Sequence, residues 1–194
     1  MKPLPIVALM LVLAAGCAGT SPPTNFYTLE SVSAPPALTD LPELSLGLGP
    51  VLLPDTLDRP QIVTRKAAYS LELAELHHWA GDLKANLGRL MGHRLMELLG
   101  TERVSLYPWP RHRQLDYQVR IDVLRFDGQL GGEAQLSGTW ALLDGAGRRE
   151  LHLQAFSLQE TAAGAQYRDL VAALSGLANR LAEQIATVVA GQVK

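Results

Sequence analysis

The chain has 194 residues, with 17 Lys and Arg against 19 Asp and Glu, a formal net charge of −2 and one cysteine. That length suits one domain with a full hydrophobic core. The near-neutral charge balance excludes the basic surface that nucleic-acid binding needs, and a single cysteine excludes an internal disulfide.

The N-terminus has the pattern of an export signal. Lys2 is followed by an apolar run over residues 6–15 and then by small residues, the order found in a secretory signal. The run has about half of the ~20 apolar residues that a membrane-spanning helix needs. A buried N-terminal helix is the alternative, but polar and proline residues follow at once. We therefore predict a signal peptide over residues 1–16.

The single cysteine ends this signal in the sequence LAAGC. The pattern resembles a bacterial lipobox, in which the cysteine becomes the mature N-terminus and carries lipid, although Ala14 stands where Leu is usual. A free thiol at Cys17 is the alternative. Several acyl chains anchor a protein stably where one does not, and by the same resemblance Ala18 favours the outer membrane. We predict a lipidated tether over residues 17–25 and a single periplasmic domain over residues 26–194.

The first half of the domain is predicted to hold short strands and then a long helix. Strands are expected over residues 26–29, 44–53 and 68–73, with Ile62 and Val63 also in the sheet. Over residues 79–99 apolar side chains recur at three- and four-residue spacing, which predicts an amphipathic helix with Gly100 as its C-cap.

The second half is predicted to form further strands and a closing helix. A short strand is expected over residues 104–107. Residues 117–123 alternate apolar and polar, and the change of phase at Leu124 and Phe126 indicates a bulge. Strands over 134–144 and 149–158 follow across short turns, which indicates antiparallel hairpins. His152 alternates with Leu151 and Leu153, so it is expected on the solvent face.

The last apolar stripe has helical spacing and runs from Tyr167 to Val189. Two amphipathic helices and a sheet with one apolar face can cover each other. The expected fold is therefore α+β, with a mainly antiparallel sheet and two long amphipathic helices packed on one face.

The usual patterns of catalytic and metal sites are missing from the sequence. It has no G-x-S-x-G, no H-x-x-x-H and no C-x-x-C, and the adjacent His77 and His78 would diverge. Asp55 and Asp58 could form an acid/base pair, but Asp beside proline is ordinary turn chemistry. We expect no enzyme, no metal and no cofactor.

A proline-bracketed loop is the strongest candidate for an interaction site. In GPVLLPDTLDRPQIVTR, two prolines fix φ on either side of DTLDR, so the loop should be stiff. Its exposed charges suit a docking surface, and they equally suit a rigid connector whose ion pairs are local and weak. The candidate interface residues are Pro54, Asp55, Asp58, Arg59, Pro60 and Trp109.

Several segments, in order and spacing, resemble one family over residues 26–190. They are FYTL, GPVLLPDTLDRPQIVTR, HHWAGDL at the expected start of the first helix, VSLYPWPR, QVRIDVLRFDG and the strand that contains Trp140. Together they resemble the PqiC family, the lipoproteins of the paraquat-inducible intermembrane transport system. These are also described as ABC-type transport auxiliary lipoproteins.

The resemblance implies a non-catalytic outer-membrane lipoprotein that faces the periplasm and contributes to membrane integrity. It would dock an MCE-domain protein, a periplasm-spanning tube that carries lipids between the two membranes, and would assemble as a homo-oligomeric ring. Two other classes stay open from the residues alone. One is an accessory factor for envelope assembly or for activation of an envelope enzyme, and the other is a periplasmic hydrolase that depends on Asp55.

Overall fold

Eight strands and two helices form the described part of the chain, which is residues 22–31, 37–110 and 112–193 of a computed structural model. The predicted signal peptide over residues 1–16 and the predicted lipidation site at Cys17 lie outside the described residues. The strands are β1 (Asn25–Tyr27), β2 (Leu46–Leu52), β3 (Gln61–Ala67), β4 (Ser70–Trp79), β5 (Val104–Leu106), β6 (Tyr117–Gly128), β7 (Glu133–Asp144) and β8 (Glu150–Thr161). The helices are α1 (Leu83–Leu99) and α2 (Tyr167–Gln192).

All eight strands belong to one sheet that is organised around β6. One edge of β6 pairs antiparallel with β7, which pairs antiparallel with β8. The other edge is shared, because β2 pairs parallel with its first half and β3 pairs parallel near its end, at Thr64 and Gly128. Beyond these, β5 pairs parallel with β2, β4 antiparallel with β3, and β1 parallel with β4.

The sheet is therefore mixed, and the prediction of a mainly antiparallel sheet was wrong. The strands joined by short turns are antiparallel, as expected. The parallel pairs join segments that are far apart in sequence, such as β1 with β4 and β2 with β6. Hydrophobic alternation determines which face of a strand is buried, but it does not specify a distant partner or its direction.

One face of the sheet is covered by both helices. In β6, Val119, Ile121 and Val123 are buried between exposed Arg120 and Asp122. The pairing with β7 shifts after Val123, which confirms the predicted bulge. Side chains from this face and from both helices form a single core cluster.

The first helix begins later than its periodicity predicted. Residues 77–79 belong to β4, and α1 starts at Leu83. Gly81 has a φ of 107°, a turn conformation that favours glycine. The Asp82 carboxylate then caps the helix by accepting the Ala85 N–H at 2.8 Å. The C-cap prediction is confirmed, since Gly100 has φ 62° and its N–H donates to the Met96 carbonyl.

His152 is not on the solvent face, so that prediction was wrong. Its ring lies 5.0 Å from the Trp140 ring and is partly buried, whereas Leu153 is 60% exposed. The cause is a register shift in the β7–β8 ladder, which pairs Leu142 with His152 but Leu143 with Glu150. The extra residue, Leu151, changes the phase of the strand.

A buried arginine joins the two helices. The Arg94 side chain on α1 is 1% exposed, and it donates to Glu97 at 3.1 Å and to Glu183 of α2 at 2.9 Å. The two carboxylates are partly exposed, so the charge pair lies at the edge of the core. This contact fixes the helices against each other where hydrophobic packing ends.

The short strand β1 is held by aromatic side chains. The Tyr27 hydroxyl lies 2.7 Å from Nδ1 of His77 on β4, and the His77 ring stacks on Tyr167 at 3.9 Å. Burial raises the pKa of both tyrosines above 10.0. The start of the described chain is thus attached to β4 and to the first residue of α2.

Candidate interaction site

The proline-bracketed loop is a compact turn with one buried side chain. The N–H groups of Leu57 and Asp58 both donate to the Pro54 carbonyl, at 2.8 and 3.3 Å. Leu57 lies in the hydrophobic core. The loop is therefore rigid because of its hydrogen bonds and its core contact, in addition to its prolines.

The charged side chains of the loop point in different directions. Asp58 forms an ion pair with Lys84 at the start of α1, with a 2.5 Å contact, and this hydrogen bond raises the pKa of Lys84. Asp55 is exposed, while Arg59 is partly buried and its Nε has no hydrogen-bond partner among the described residues. The loop is thus attached to α1 on one side and open to solvent on the other.

A small cavity of about 320 Å³ lies between this loop and the start of α1. Its lining residues are Asp58, Arg59, Pro60, Trp79, Gly81, Asp82 and Leu83. The predicted residues Asp58, Arg59 and Pro60 are therefore brought together at one opening.

A second, more apolar groove of about 330 Å³ lies beside it, between β2, β5 and α1. The two openings share Asp82, and Lys84, which pairs with Asp58, lies on the rim of the second groove. The groove is lined by Leu48, Gly49, Pro50, Val51, Asp82, Lys84, Ala85, Gly88, Arg89, Leu106 and Tyr107.

Gly88 forms the floor of this groove. The residue itself is buried, yet a Cβ built on it would meet no atom within 4 Å. The groove can therefore accept an apolar side chain from a partner, and Asp82, Lys84 and Arg89 place charges of both signs at its opening. The sequence did not indicate this site, because its only signal was a glycine within a helix.

Trp109 is separate from the loop. Its ring lies over Gly47 of β2, where a Cβ would come within 2.9 Å of the ring, and it meets the Tyr107 ring edge-on at 5.5 Å. Tyr107 is exposed and lines the second groove. Five of the six predicted interface residues therefore lie in the loop, and the sixth, Trp109, packs against Tyr107 in the wall of the groove. Their role as an interface stays a prediction.

The described residues contain neither a metal-binding cluster nor a helix that could cross a membrane. Within residues 22–31, 37–110 and 112–193, no group of three or more His, Cys, Asp or Glu side chains could hold a metal ion. Across the same described ranges, neither helix combines the length and the apolar character that crossing a membrane requires.

Comparison with known families identifies the chain. A family model described as an ABC-type transport auxiliary lipoprotein component matches residues 27–186. The chain belongs to this family. The match confirms the resemblance seen in the sequence, and it identifies the chain as a lipoprotein that assists a transporter. A search of curated proteins found no match.

Solved structures agree on the fold of this lipoprotein. Protein XCC0632 from Xanthomonas campestris and an uncharacterized protein each match at a TM-score of 0.70 and 19% identity. Both cover 87% of this chain, which spans 97% and 99% of theirs. A PelC dodecamer from Paraburkholderia phytofirmans matches at a TM-score of 0.41 and 16% identity, covering 77% of this chain and 90% of its own. That likeness is too low to bear on assembly here.

Proposed function

We propose that this protein is the outer-membrane lipoprotein subunit of an MCE-type intermembrane lipid transport system. The family match over residues 27–186 carries the proposal, and the LAAGC sequence that ends in Cys17 supports a lipid anchor. In this proposal the protein acts by binding rather than by catalysis. It holds the outer-membrane end of the periplasm-spanning MCE-domain tube, as a homo-oligomeric ring on the periplasmic face.

The groove between β2, β5 and α1 is our candidate for the contact with that tube. It combines an apolar wall and an open glycine floor with a charged opening formed by Asp82, Lys84 and Arg89. The Lys84–Asp58 ion pair connects this opening to loop 54–60. In a ring of such weak sites, binding of the tube at one site would raise the effective concentration at which the other sites meet it.

Filling the groove tests this contact directly. Gly88→Leu places a side chain in the open space, and the fold should be kept because a helix interior gains up to about 1 kcal/mol when glycine is replaced. Gly191→Leu is the matched control, since Gly191 also lies in a helix with no atom within 4 Å of a built Cβ. Both variants would be tagged and purified from detergent-solubilised envelopes, and the proteins that copurify would be identified.

We expect the unaltered protein and Gly191→Leu to recover an MCE-domain protein, and Gly88→Leu to lose it although its unfolding midpoint is no lower than that of the unaltered protein. Recovery by all three proteins would refute the groove contact. Recovery of an envelope-assembly factor or an envelope enzyme, with no MCE-domain protein, would refute the transport role.

A further inference from the structure

The hairpin formed by β3 and β4 extends from the body of the domain as an arm, defined here as residues 66–73. All eight residues of the arm are exposed. Successive side chains of a strand point to opposite faces, so neither face of the arm is covered by the described domain. Its exposed side chains are apolar at several positions: Tyr69 at the tip is fully exposed, and Leu71 and Leu73 are 40% and 43% exposed.

The direction of the arm is fixed by a cluster of charged side chains at its base. Arg65 donates to both carboxylate oxygens of buried Asp127, at 3.1 and 2.9 Å, and its remaining Nη1 donates to the Ala68 carbonyl in the turn. Arg125 donates to the same carboxylate at 2.9 Å. One guanidinium thus connects the turn of the arm to β6, and the arm is held as part of the rigid domain.

The first strand starts at the end of the sheet from which the arm extends. β1 is parallel to β4, with Asn25 opposite His77, so the chain enters β1 from the end where the arm lies. Tyr69 is eight residues before His77, or about 26 Å along a strand. Cys17 is eight residues before Asn25, and an extended chain of that length reaches at most about 29 Å. Residues 17–25 are therefore long enough for a lipid on Cys17 and the tip of the arm to reach the same membrane surface.

A second turn lies at the same end of the molecule. β3 and β6 are parallel and pair at Thr64 and Gly128, so the β6–β7 turn and the arm project in the same direction. That turn carries Leu130, which is 39% exposed. The opposite end of the sheet is charged, because the β7–β8 turn there carries exposed Arg148 and Arg149.

We propose that the tip of the arm is a second membrane contact, which inserts into the same lipid surface that holds the acyl chains of Cys17. This inference rests on the lipid anchor of the proposed function. Tyrosine is favoured at the boundary between lipid and water, and Lys66 can bury its methylene stem there with its ammonium group in the headgroup layer. An anchor alone leaves the domain free to turn about its tether, whereas a second contact fixes which side faces the membrane.

The only cysteine in the sequence makes this testable in the full lipoprotein. Lipid on the Cys17 sulfur leaves Tyr69→Cys as the one free thiol, and Tyr69 is fully exposed, so the substitution disturbs no packing. The control is Arg148→Cys in the β7–β8 turn, at the other end of β6, a strand about 36 Å long. Both proteins would carry a polarity-sensitive fluorophore and be reconstituted in vesicles of phosphatidylethanolamine and phosphatidylglycerol, with or without nitroxide-labelled lipid.

We expect the label at position 69 to shift to the blue and to lose most of its fluorescence to the nitroxide lipid, while the label at position 148 does neither. A label at position 69 that remains in water would overturn the proposal. So would a label that is shielded from water but not quenched by lipid, together with a disulfide between two copies of the unlabelled Tyr69→Cys protein, because the arm would then be a subunit interface. If mass spectrometry shows two labels on each chain, the Cys17 thiol is free, and the lipid anchor is overturned together with the membrane contact.

Discussion

Removing the negative charge at the base of the arm should destabilise the protein far more than the same change at the surface. The Asp127 carboxylate is 4% exposed and accepts three hydrogen bonds from two guanidinium groups. It also lies where β3 meets β6 through a single paired position. Asp127→Asn keeps the shape of the side chain but leaves two cations without their counter-charge.

The expected cost follows from these contacts. Removing one partner of a fully buried ion pair costs about 3–5 kcal/mol, but Arg65 and Arg125 are 22% and 32% exposed and can be partly hydrated. We therefore expect a loss of about 1.5–3 kcal/mol, the range for a hydrogen bond to a charged group. Glu43→Gln is the matched control, because Glu43 also pairs with an arginine but is 89% exposed, and such surface pairs contribute about 0–1 kcal/mol.

Urea unfolding of the three proteins measures the difference, with the slope of the transition confirming that the same surface is exposed on unfolding. Hydrogen exchange of residues 66–73 should also accelerate in Asp127→Asn, because Arg65 would lose the partner that positions it against the turn. An Asp127→Asn protein as stable as Glu43→Gln would refute the assignment of the arm's rigidity to this cluster.

Three further predictions concern the core, the alkaline pH dependence and the anchor. Leu177 on α2 is fully buried, so Leu177→Asp should lose several kcal/mol; a soluble variant of equal stability in urea would contradict that placement. Burial, and after it the charge of Glu72, raises the pKa of Tyr167 in the folded protein. The contribution of Tyr167 to stability is therefore complete below about pH 10, and it is lost as the pH rises through the pKa of Tyr167 in the folded protein. The unfolding free energy of Tyr167→Phe should therefore fall less between pH 9 and pH 11 than that of the unaltered protein, and equal falls would argue against the burial effect. Cys17→Ser should yield a protein without lipid that leaves the outer-membrane fraction. A variant that fractionates as the unaltered protein does, and differs from it in mass only by the substitution, would rule out the anchor.

Local patterns predicted the parts of this fold that depend on neighbouring residues. The hairpins from β6 to β8, the bulge after Val123, the C-cap at Gly100 and the long helix α2 all follow from alternation, turn length or helical spacing. These features are determined by a few residues that are close in the chain, so that the sequence carries their signal directly.

Long-range pairing and the exact phase of strands could not be predicted in this way. Trp79 has the right spacing to join α1, but Gly81 and Asp82 start the helix later. Leu153 has the right type for the core, but the extra residue at Leu151 turns it outward. In each case one backbone feature overrides the side-chain pattern that predicted where the residue lies.

The candidate site shows the same division. The prolines and charges of loop 54–60 indicated a rigid surface segment, and the hydrogen bonds to Pro54 are consistent with that rigidity. The groove above Gly88 arises only when β2, β5 and α1 are packed together. A groove of this kind is a property of three distant segments, and no local motif marks it.

The pairing of β1 with β4 has a mechanical consequence. A pull on the chain before Asn25 acts along β1, so the paired positions from Asn25 to Tyr27 share the load as shear and do not open one after another. The ring contacts of Tyr27 with His77, and of His77 with Tyr167, carry part of that force onto α2. Tension that enters at the first strand is thus divided between the sheet and the longer of the two helices.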